Sequence, residues 1–245
     1  MNSIVYFDDL GTAPYKEVWD HQEQLLKGNL EIKAQLRNDE KEGNILNANL
    51  RTMDYLLFVE HPPVYTLGKS GDPAHILISE QERLERSIAY YPTNRGGDIT
   101  FHGPGQLVGY PILDLEHFET DIARYLRKLE EVIILTIGEF GLKGQRSSGE
   151  TGVWLDADLP GRERKICAMG VRCSRWITMH GFALNVNTDL TYFNHIVPCG
   201  IQNKKVTSLM QEVGEELPME RVKSILKSHF EHVFGVKITP LKEAL

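Results

Sequence analysis

One run of twelve residues is the most informative part of this chain: Arg95-Gly96-Gly97-Asp98-Ile99-Thr100-Phe101-His102-Gly103-Pro104-Gly105-Gln106. Four glycines and a proline in so short a run are typical of a backbone that turns tightly and passes close to a ligand. A second run, Val197-Pro198-Cys199-Gly200, places a thiol in a turn later in the chain. Together the two runs predict a binding site beside a nucleophile.

The composition is that of a chain that can bury a sizeable core. Its 245 residues, 41% hydrophobic and 25% charged, are enough for one domain, or for one domain with a small subdomain. The 34 Asp and Glu residues outnumber the 27 Lys and Arg residues, which gives a net charge of −7. A nucleic-acid binder that depends on overall basicity is therefore disfavoured.

The sequence gives no sign of export or membrane insertion. The amino terminus reaches Asp8 and Asp9 before an apolar stretch of signal-peptide length can form. The most apolar run, around 132–137, is far shorter than the roughly 20 residues that span a bilayer. The chain has three cysteines, Cys167, Cys173 and Cys199. Because their odd number and spacing do not suit a disulfide framework, we expect a cytoplasmic protein without membrane contact.

Apolar periodicity predicts helices on both sides of the glycine-rich run. A spacing of 3.6 residues predicts a first helix over 15–28 that ends at Gly28, and a longer one over 122–140. Ser79 and Glu82 have the spacing of a capping box. The polar stretch 37–49 is predicted to be a surface loop.

Short apolar runs predict a sheet in the middle of the chain. The predicted strands are 55–59, 64–67, 152–155, 166–171, 176–179 and 182–186. A last helix over 222–234 ends at Gly235, and the strand 236–238 completes a small accessory unit. This irregular order favours the α+β class, with a mixed, largely antiparallel sheet flanked by helices.

Cys199 and Lys165 are the candidate catalytic pair. A cysteine is a nucleophile as its thiolate, and a nearby cation favours the thiolate by lowering the thiol pKa. The two residues lie far apart in sequence, so only the fold can bring them together. The chemistry alone also allows Lys165 to belong to a solvated basic turn and Cys199 to be a small buried apolar residue.

Metal and phosphate sites are not indicated by the sequence. There is no Cys-x-x-Cys or His-Glu-x-x-His motif, and Cys167, Cys173 and His180 form no recognised ligand set. The glycine-rich run also lacks the patterns that bind dinucleotides or nucleotide phosphates. His102 is either a general base or a residue that orients the glycine-rich turn, and we expect the orienting role. We expect no metal and no cofactor.

Five motifs follow one another along the chain: EHPPVYTLG at 60–68, RGGDITFHGPGQ at 95–106 with GYP at 109–111, KICAMGVR at 165–172, HGFALN at 180–185 and VPCGI at 197–201. In this order they closely resemble the octanoyltransferase family of lipoate biosynthesis, also called the lipoate-protein ligase B family. The resemblance covers about residues 5–235. It implies the fold of the biotin and lipoate protein ligases, in a single catalytic domain over 1–245 with a polar insertion at about 37–50.

The resemblance also implies an activity. Octanoyl-acyl carrier protein would be the donor, and apo lipoyl domains of 2-oxo acid dehydrogenases and of the glycine-cleavage H protein would be the acceptors. By this resemblance Cys199 carries the acyl thioester, while Lys165 lowers the pKa of that cysteine and handles protons. The substrate-binding residues that it implies are Arg95, Gly96, Gly97, Asp98, Ile99, Thr100, Phe101, His102, Ala168, Met169, Gly170, Gly181, Phe182 and Ala183.

Other activities are distinguished by their chemistry. An ATP-dependent lipoate or biotin ligase activates a free acid as an adenylate and needs no cysteine, so Cys199 argues against it. A lipoyl amidotransferase shares the thioester chemistry and differs in its donor. An inactive module that only binds acyl carriers would have no need of the nucleophile. A papain-like hydrolase would carry a signature around its cysteine that is absent here.

Three further expectations concern the surroundings of the site. Small residues are expected to give room for an eight-carbon chain. Cys167 stands two residues from Lys165, and its reactivity is left open. A local basic patch is expected to attract acidic carrier proteins. Its members would be Arg162, Arg164, Arg172, Arg175, Lys204 and Lys205.

Overall fold

The computed structural model describes residues 3–43, 50–197 and 205–241. Its α-helices are α1 (Tyr15–Glu42), α2 (Glu80–Glu85), α3 (Ile122–Gly138), α4 (Leu209–Val213) and α5 (Met219–Phe234). Its strands are β1 (Ser3–Thr12), β2 (Asp54–Glu60), β3 (Val64–Leu67), β4 (Ala89–Pro92), β5 (Ile99–His102), β6 (Gln106–Ile112), β7 (Gln145–Ser147), β8 (Glu150–Leu155), β9 (Arg164–Ser174), β10 (Ile177–Asn185), β11 (Lys205–Val206) and β12 (Val236–Pro240).

The main sheet is mixed and largely antiparallel. Its strand order within the described ranges is β12-β1-β2-β6-β10-β9-β8-β7, with β11 paired to β9. Strand β1 runs parallel to both β2 and β12, and β11 runs parallel to β9. The other pairs in this sheet are antiparallel. Strands β4, β3 and β5 form a separate small sheet. The predicted α+β class is confirmed.

Helices cover both faces of the main sheet. Because side chains alternate along a strand, Phe182 of β10 packs in the core with α3 and α5, whereas Ala183 packs in the core under α1. Phe230 of α5 and Val18 of α1 are buried in these two cores. This burial of apolar side chains is the main stabilising contribution to the layered arrangement. None of the described helices is long and apolar enough to cross a membrane.

The first helix is longer than the sequence predicts. The expected end at Gly28 is wrong, because α1 continues to Glu42 and ends at Gly43, which has a φ of 68°. A glycine inside a helix costs about 1 kcal/mol. Tertiary contacts in the next turns offset that cost: the side chain of Asn29 pairs with the backbone of Met53, and Lys33 Nζ lies 2.6 Å from Asp114 Oδ1.

The surface loop predicted over 37–49 needs a corresponding correction. Residues up to Glu42 belong to α1, and residues 44–49 lie outside the described ranges. Two predicted strands, 176–179 and 182–186, form the single strand β10, which passes through His180 at a φ of 59°. The capping box of Ser79 and Glu82 is confirmed at the start of α2.

The carboxyl-terminal elements belong to the main body of the fold. Helix α5 ends at Gly235 as predicted, and β12 pairs with β1 at the edge of the main sheet. Phe230 and Phe234 stack at 4.4 Å between ring centroids and are buried in the core beneath α3 and α5. The expected accessory unit is therefore an integral part of the sheet and its core.

Candidate active site

A cavity of about 480 Å³ lies where the glycine-rich run meets the main sheet. Its wall is formed by parts of β5, β6, β9 and β10, with contributions from the starts of α1 and α3. Many residues singled out in the sequence lie on this wall: Arg95, Gly96, Gly97, Asp98, Ile99, Thr100, His102, Lys165, Ala168, Met169, Gly170, Gly181, Phe182 and Ala183. The fold thus brings three distant segments, 95–102, 165–170 and 181–183, to one cavity.

Phe101 and Cys199 are the two predicted site residues that are not on this wall in the described structure. Phe101 is 1% exposed and stacks on Tyr192 at 4.5 Å, so its ring belongs to the core of the small sheet. Among the described residues that were expected to bind substrate, it is the one that does not line the cavity. Cys199 lies outside the described residues, so the distance between Lys165 and Cys199 is not part of the described geometry.

The floor of the cavity contains a block of small residues on β9 and β10. In the antiparallel register Ala183 pairs with Ala168, and Gly181 pairs with Gly170. A Cβ on Gly170 would lie 2.7 Å from the carbonyl oxygen of Gly96, so glycine is needed here for backbone packing. The same holds for Gly181, whose Cβ would lie 2.2 Å from a backbone oxygen. The expectation that these glycines only make room for a ligand is therefore incomplete.

Arg95 holds the glycine-rich run in shape. The residue is 8% exposed, and its guanidinium group makes the contacts. It donates hydrogen bonds to the backbone oxygens of Thr66, Gly96 and Asp98 at 2.6 to 3.0 Å. The run is also joined to β9, because the N–H of Gly96 donates to the carbonyl oxygen of Val171 at 2.9 Å. Arg95 therefore fixes the conformation of the glycine-rich loop that forms one side of the cavity.

His102 is held in a chain of oriented hydrogen bonds. Its Nδ1 lies 2.8 Å from Gln106 Oε1, and the amide group of Gln106 donates to Asn185 Oδ1 at 2.9 Å. Since an amide oxygen accepts, Nδ1 carries the proton. Burial, then the nearby His61 and Arg95, lower the pKa of His102 well below its usual value. A neutral, fixed imidazole fits an orienting role better than that of a proton carrier.

His180 and Tyr15 also line the cavity, although neither was among the substrate-binding residues expected from the sequence. His180 Nε2 donates to Asn94 Oδ1 at 2.7 Å, and its Nδ1 has no partner among the described residues. Burial and the charge of Arg95 lower the pKa of His180 to about 3. The buried hydroxyl of Tyr15 likewise has no partner in the described part of the chain, and burial raises the pKa of Tyr15 to about 12.

Sequence signals for these two residues differ. His180 stands at the start of the motif 180–185, so its motif position could have suggested a role. Tyr15 begins a helix and carries no local signal beyond helical periodicity. It reaches the site because α1 starts beside the small sheet, where its ring stacks on His102 with an interplanar angle of 9°.

Lys165 is fixed through its backbone on both sides. It pairs with Trp154 of β8 and with Val206 of β11, and its carbonyl oxygen accepts from the N–H of Thr207 at 2.9 Å. Its Nζ lies 4.5 Å from the centroid of the Trp154 ring, which is the geometry of a cation–π contact. The ammonium group is therefore supported at the cavity wall by an aromatic ring.

The two described cysteines are poor candidates for a nucleophile. Cys167 is fully buried in the core on the opposite face of β9 from Ala168, and burial raises the pKa of its thiol. Cys173 is half-buried, and burial raises its pKa as well. A thiol in such surroundings is inert. Within the described ranges, no three His, Cys, Asp or Glu side chains converge as metal ligands.

Two members of the expected basic patch, Arg164 and Arg172, are paired with acidic neighbours. Arg164 contacts Asp156 and Glu212 at 2.6 Å, and Arg172 contacts Glu23 at 2.7 Å. Lys205 is exposed beside Arg164 across the β9–β11 pair, and Lys204 lies outside the described residues. The positive charge of a paired arginine is largely cancelled by its carboxylate partner, so Arg164 and Arg172 are poorly suited to attracting an acidic carrier.

Comparisons with known proteins agree on one family. The family model for the lipoyl protein ligase A/B catalytic domain matches residues 29–231. An octanoyltransferase of Christiangramia forsetii is 55% identical over 97% of this chain and 99% of its own length. An octanoyltransferase of Flavobacterium psychrophilum is 55% identical over 97% of this chain and 100% of its own length. One of Gloeobacter violaceus is 43% identical over 94% of this chain and 90% of its own length.

Solved structures show the same fold at low sequence identity. A structure of a bi-partite lipoate protein ligase and its E2 lipoyl domain from Thermoplasma acidophilum matches with a TM-score of 0.67 and 15% identity, over 97% of this chain and 86% of that chain. A structure of lipoate-protein ligase A bound with ATP matches with a TM-score of 0.65 and 14% identity, over 98% of this chain and 88% of that chain. The expected lipoate ligase fold is confirmed. The family model and the close relatives both extend over most of the sequence, and the chain belongs to the lipoyl protein ligase A/B catalytic domain family.

Proposed function

We propose that this protein transfers an octanoyl group from octanoyl-acyl carrier protein to a lysine of apo lipoyl domains. The acceptors would be the lipoyl domains of 2-oxo acid dehydrogenases and the glycine-cleavage H protein. The observation that carries the proposal is the convergence of segments 95–102, 165–170 and 181–183 on one cavity, in a chain 55% identical to octanoyltransferases. We also propose a single catalytic domain, acting in the reducing environment of the cytoplasm.

The cavity suits an apolar acyl chain. Ala168, Ala183, Ile99 and Phe182 contribute apolar surface to its wall. Burying a methylene group contributes about 0.8 kcal/mol. An octanoyl chain that is mostly enclosed would therefore gain roughly 5 kcal/mol, enough to favour it clearly over donors with much shorter chains.

The reaction proceeds by two acyl exchanges at Cys199. The Cys199 thiolate attacks the thioester carbonyl, a new C–S bond forms, and the bond to the carrier thiol breaks. The lysine amine of the lipoyl domain then attacks the acyl-enzyme, and an amide forms as the Cys199 thiolate leaves. The Lys165 ammonium favours the Cys199 thiolate by its charge and gives a proton to the departing carrier thiolate. The Lys165 amine, then neutral, takes the proton that the lipoyl lysine loses as the amide forms. No ATP is consumed, because the donor is already a thioester.

The neutral imidazoles at the cavity support this chemistry indirectly. His102 and His180 are buried, and the pKa of each is lowered, so neither adds a positive charge beside Arg95 at neutral pH. His102 orients the turn after the glycine-rich run through Gln106.

An ATP-dependent ligase is the second candidate, because the fold is similar to that of a lipoate-protein ligase A bound with ATP. Transfer to an apo lipoyl domain distinguishes the two reactions. We expect octanoylation from octanoyl-acyl carrier protein without ATP, and none from free octanoate with ATP. Modification that requires ATP and a free acid would move the assignment to the adenylating ligases. Transfer of octanoyl from one lipoyl protein to another, at a higher rate than from acyl carrier protein, would identify an amidotransferase.

A further inference from the structure

Glu130 of α3 is a fully buried carboxylate that the proposed reaction does not use. It is 0% exposed. Its Oε2 lies 2.7 Å from Arg127 Nη1 and accepts a hydrogen bond from Arg146 Nε at 3.1 Å. Its Oε1 accepts from the backbone N–H of Gly152 at 3.0 Å. A buried carboxylate is costly unless it is paired and hydrogen-bonded, so these donors are what make its burial tolerable.

Two of the three described partners of Glu130 lie on the two strands of one hairpin. Arg146 belongs to β7 and Gly152 to β8, so a single carboxylate joins both strands to α3. Gly149 of the turn and the first two residues of β8, 150–151, line the cavity, as do Ile122 and Leu126 of α3. Glu130 therefore holds together two neighbouring parts of the cavity wall.

The hairpin is in direct contact with Lys165. Gly152 has a φ of 118°, and a Cβ at this position would lie 2.5 Å from the carbonyl oxygen of Cys167 and 3.6 Å from Lys165 Cε. Two residues further along β8, the Trp154 ring lies under Lys165 Nζ. The register between β8 and β9 shifts between Val153 and Trp154. Because the regular ladder is interrupted here, the hydrogen bond from Gly152 to Glu130 provides an independent anchor for this segment.

We infer that Glu130 is a positioning residue that fixes the Lys165 ammonium at the cavity wall through Gly152 and Trp154. The inference depends on the proposed function, in which Lys165 assists acyl transfer. Glu130 bonds to the backbone of Gly152, whose α-carbon side meets Lys165 Cε, so the role that we infer is to hold the hairpin and not to exchange protons. The neighbouring Glu131 pairs with the same Arg146 at 2.5 Å, but 40% of its side chain is exposed.

Glu130→Gln tests the inference, with Glu131→Gln as the matched control. The amide keeps an acceptor for Gly152 but loses the charge that two guanidinium groups require. We expect the single-turnover rate of octanoyl transfer to Cys199 to fall by about tenfold or more, since small misplacements of catalytic groups have large effects on rate. The apparent affinity for octanoyl-acyl carrier protein should change little, and Glu131→Gln should stay within about twofold of the unmodified protein.

A double-mutant cycle with Lys165→Ala separates positioning from general destabilisation. If Glu130 acts through Lys165, Glu130→Gln causes no further loss of rate in the Lys165→Ala background. Equal fold losses in both backgrounds would overturn the inference. Should Glu130→Gln melt below the assay temperature, Arg146→Gln replaces it in the same cycle with the same expectation. A protein that forms no octanoyl-enzyme at all would contradict the proposed function instead.

Discussion

Replacing Ala168 by leucine tests whether the paired alanines form the floor of the acyl site. Ala168 is half-buried, lines the cavity, and lies beside Ala183 in the β9–β10 register. Leucine adds three carbons that would project into a cavity of about 480 Å³. If they displace two or three methylene groups of the acyl chain, the loss is about 2 kcal/mol. That energy corresponds to a fall of about 30-fold in the rate of loading from octanoyl-acyl carrier protein.

The assay compares donors of different chain length in single turnover. Butanoyl-acyl carrier protein should load the variant at nearly the normal rate, because a short chain does not reach the added side chain. Since Ala168 is not part of the buried core clusters, the unfolding temperature should change by only a few degrees. Ala34→Leu, on a half-buried face of α1 away from the cavity, is the control. An unchanged octanoyl-to-butanoyl ratio in Ala168→Leu would refute the reasoning.

Three further predictions concern stability and the polar wall. Burial lowers the pKa of His61 to about 4 and that of His180 to about 3, so both remain neutral in the folded protein, whereas each takes up a proton on unfolding below about pH 6.5. The free energy of unfolding should therefore decrease as pH falls below that value, by on the order of 2 kcal/mol per histidine at pH 5. Urea unfolding at pH 7.5 and at pH 5 measures this decrease. Equal stability at the two pH values would contradict the burial of neutral imidazoles. Gly152→Ala should destabilise the fold by at least about 1 kcal/mol, because its φ is 118° and the new Cβ would meet the carbonyl oxygen of Cys167. Tyr15→Phe removes a hydroxyl that has no partner among the described residues, so the free energy of unfolding should change by less than about 1 kcal/mol. A larger loss of stability, measured by thermal melting, would show that the hydroxyl has a hydrogen-bond partner.

Local patterns predict most elements of this fold but not how far each one extends. The capping box at Ser79 and the glycine after α5 are short-range signals, and both mark element ends in the structure. Gly28 is also a strong local signal, yet α1 passes through it because Asn29 and Lys33 gain partners from other parts of the chain. Such tertiary contacts cannot be read from a window of neighbouring residues.

The site shows the same limit. The motifs point to the segments that line the cavity, because glycines and small side chains leave a recognisable pattern. Tyr15 and Glu130 lie in ordinary amphipathic helices, where a tyrosine or a glutamate carries no such signal. Their surroundings arise from the packing of α1 on the small sheet and of α3 on the β7–β8 hairpin.

The central claim is that Cys199 carries the acyl group between donor and acceptor. The most direct measurement is the intact mass of the protein after incubation with octanoyl-acyl carrier protein alone, beside Cys199→Ala and Cys167→Ala. We predict one octanoyl adduct on the unmodified protein and on Cys167→Ala, none on Cys199→Ala, and loss of the adduct when an apo lipoyl domain is added. An adduct that persists in Cys199→Ala, or a lipoyl domain octanoylated by that variant at the normal rate, would contradict the account.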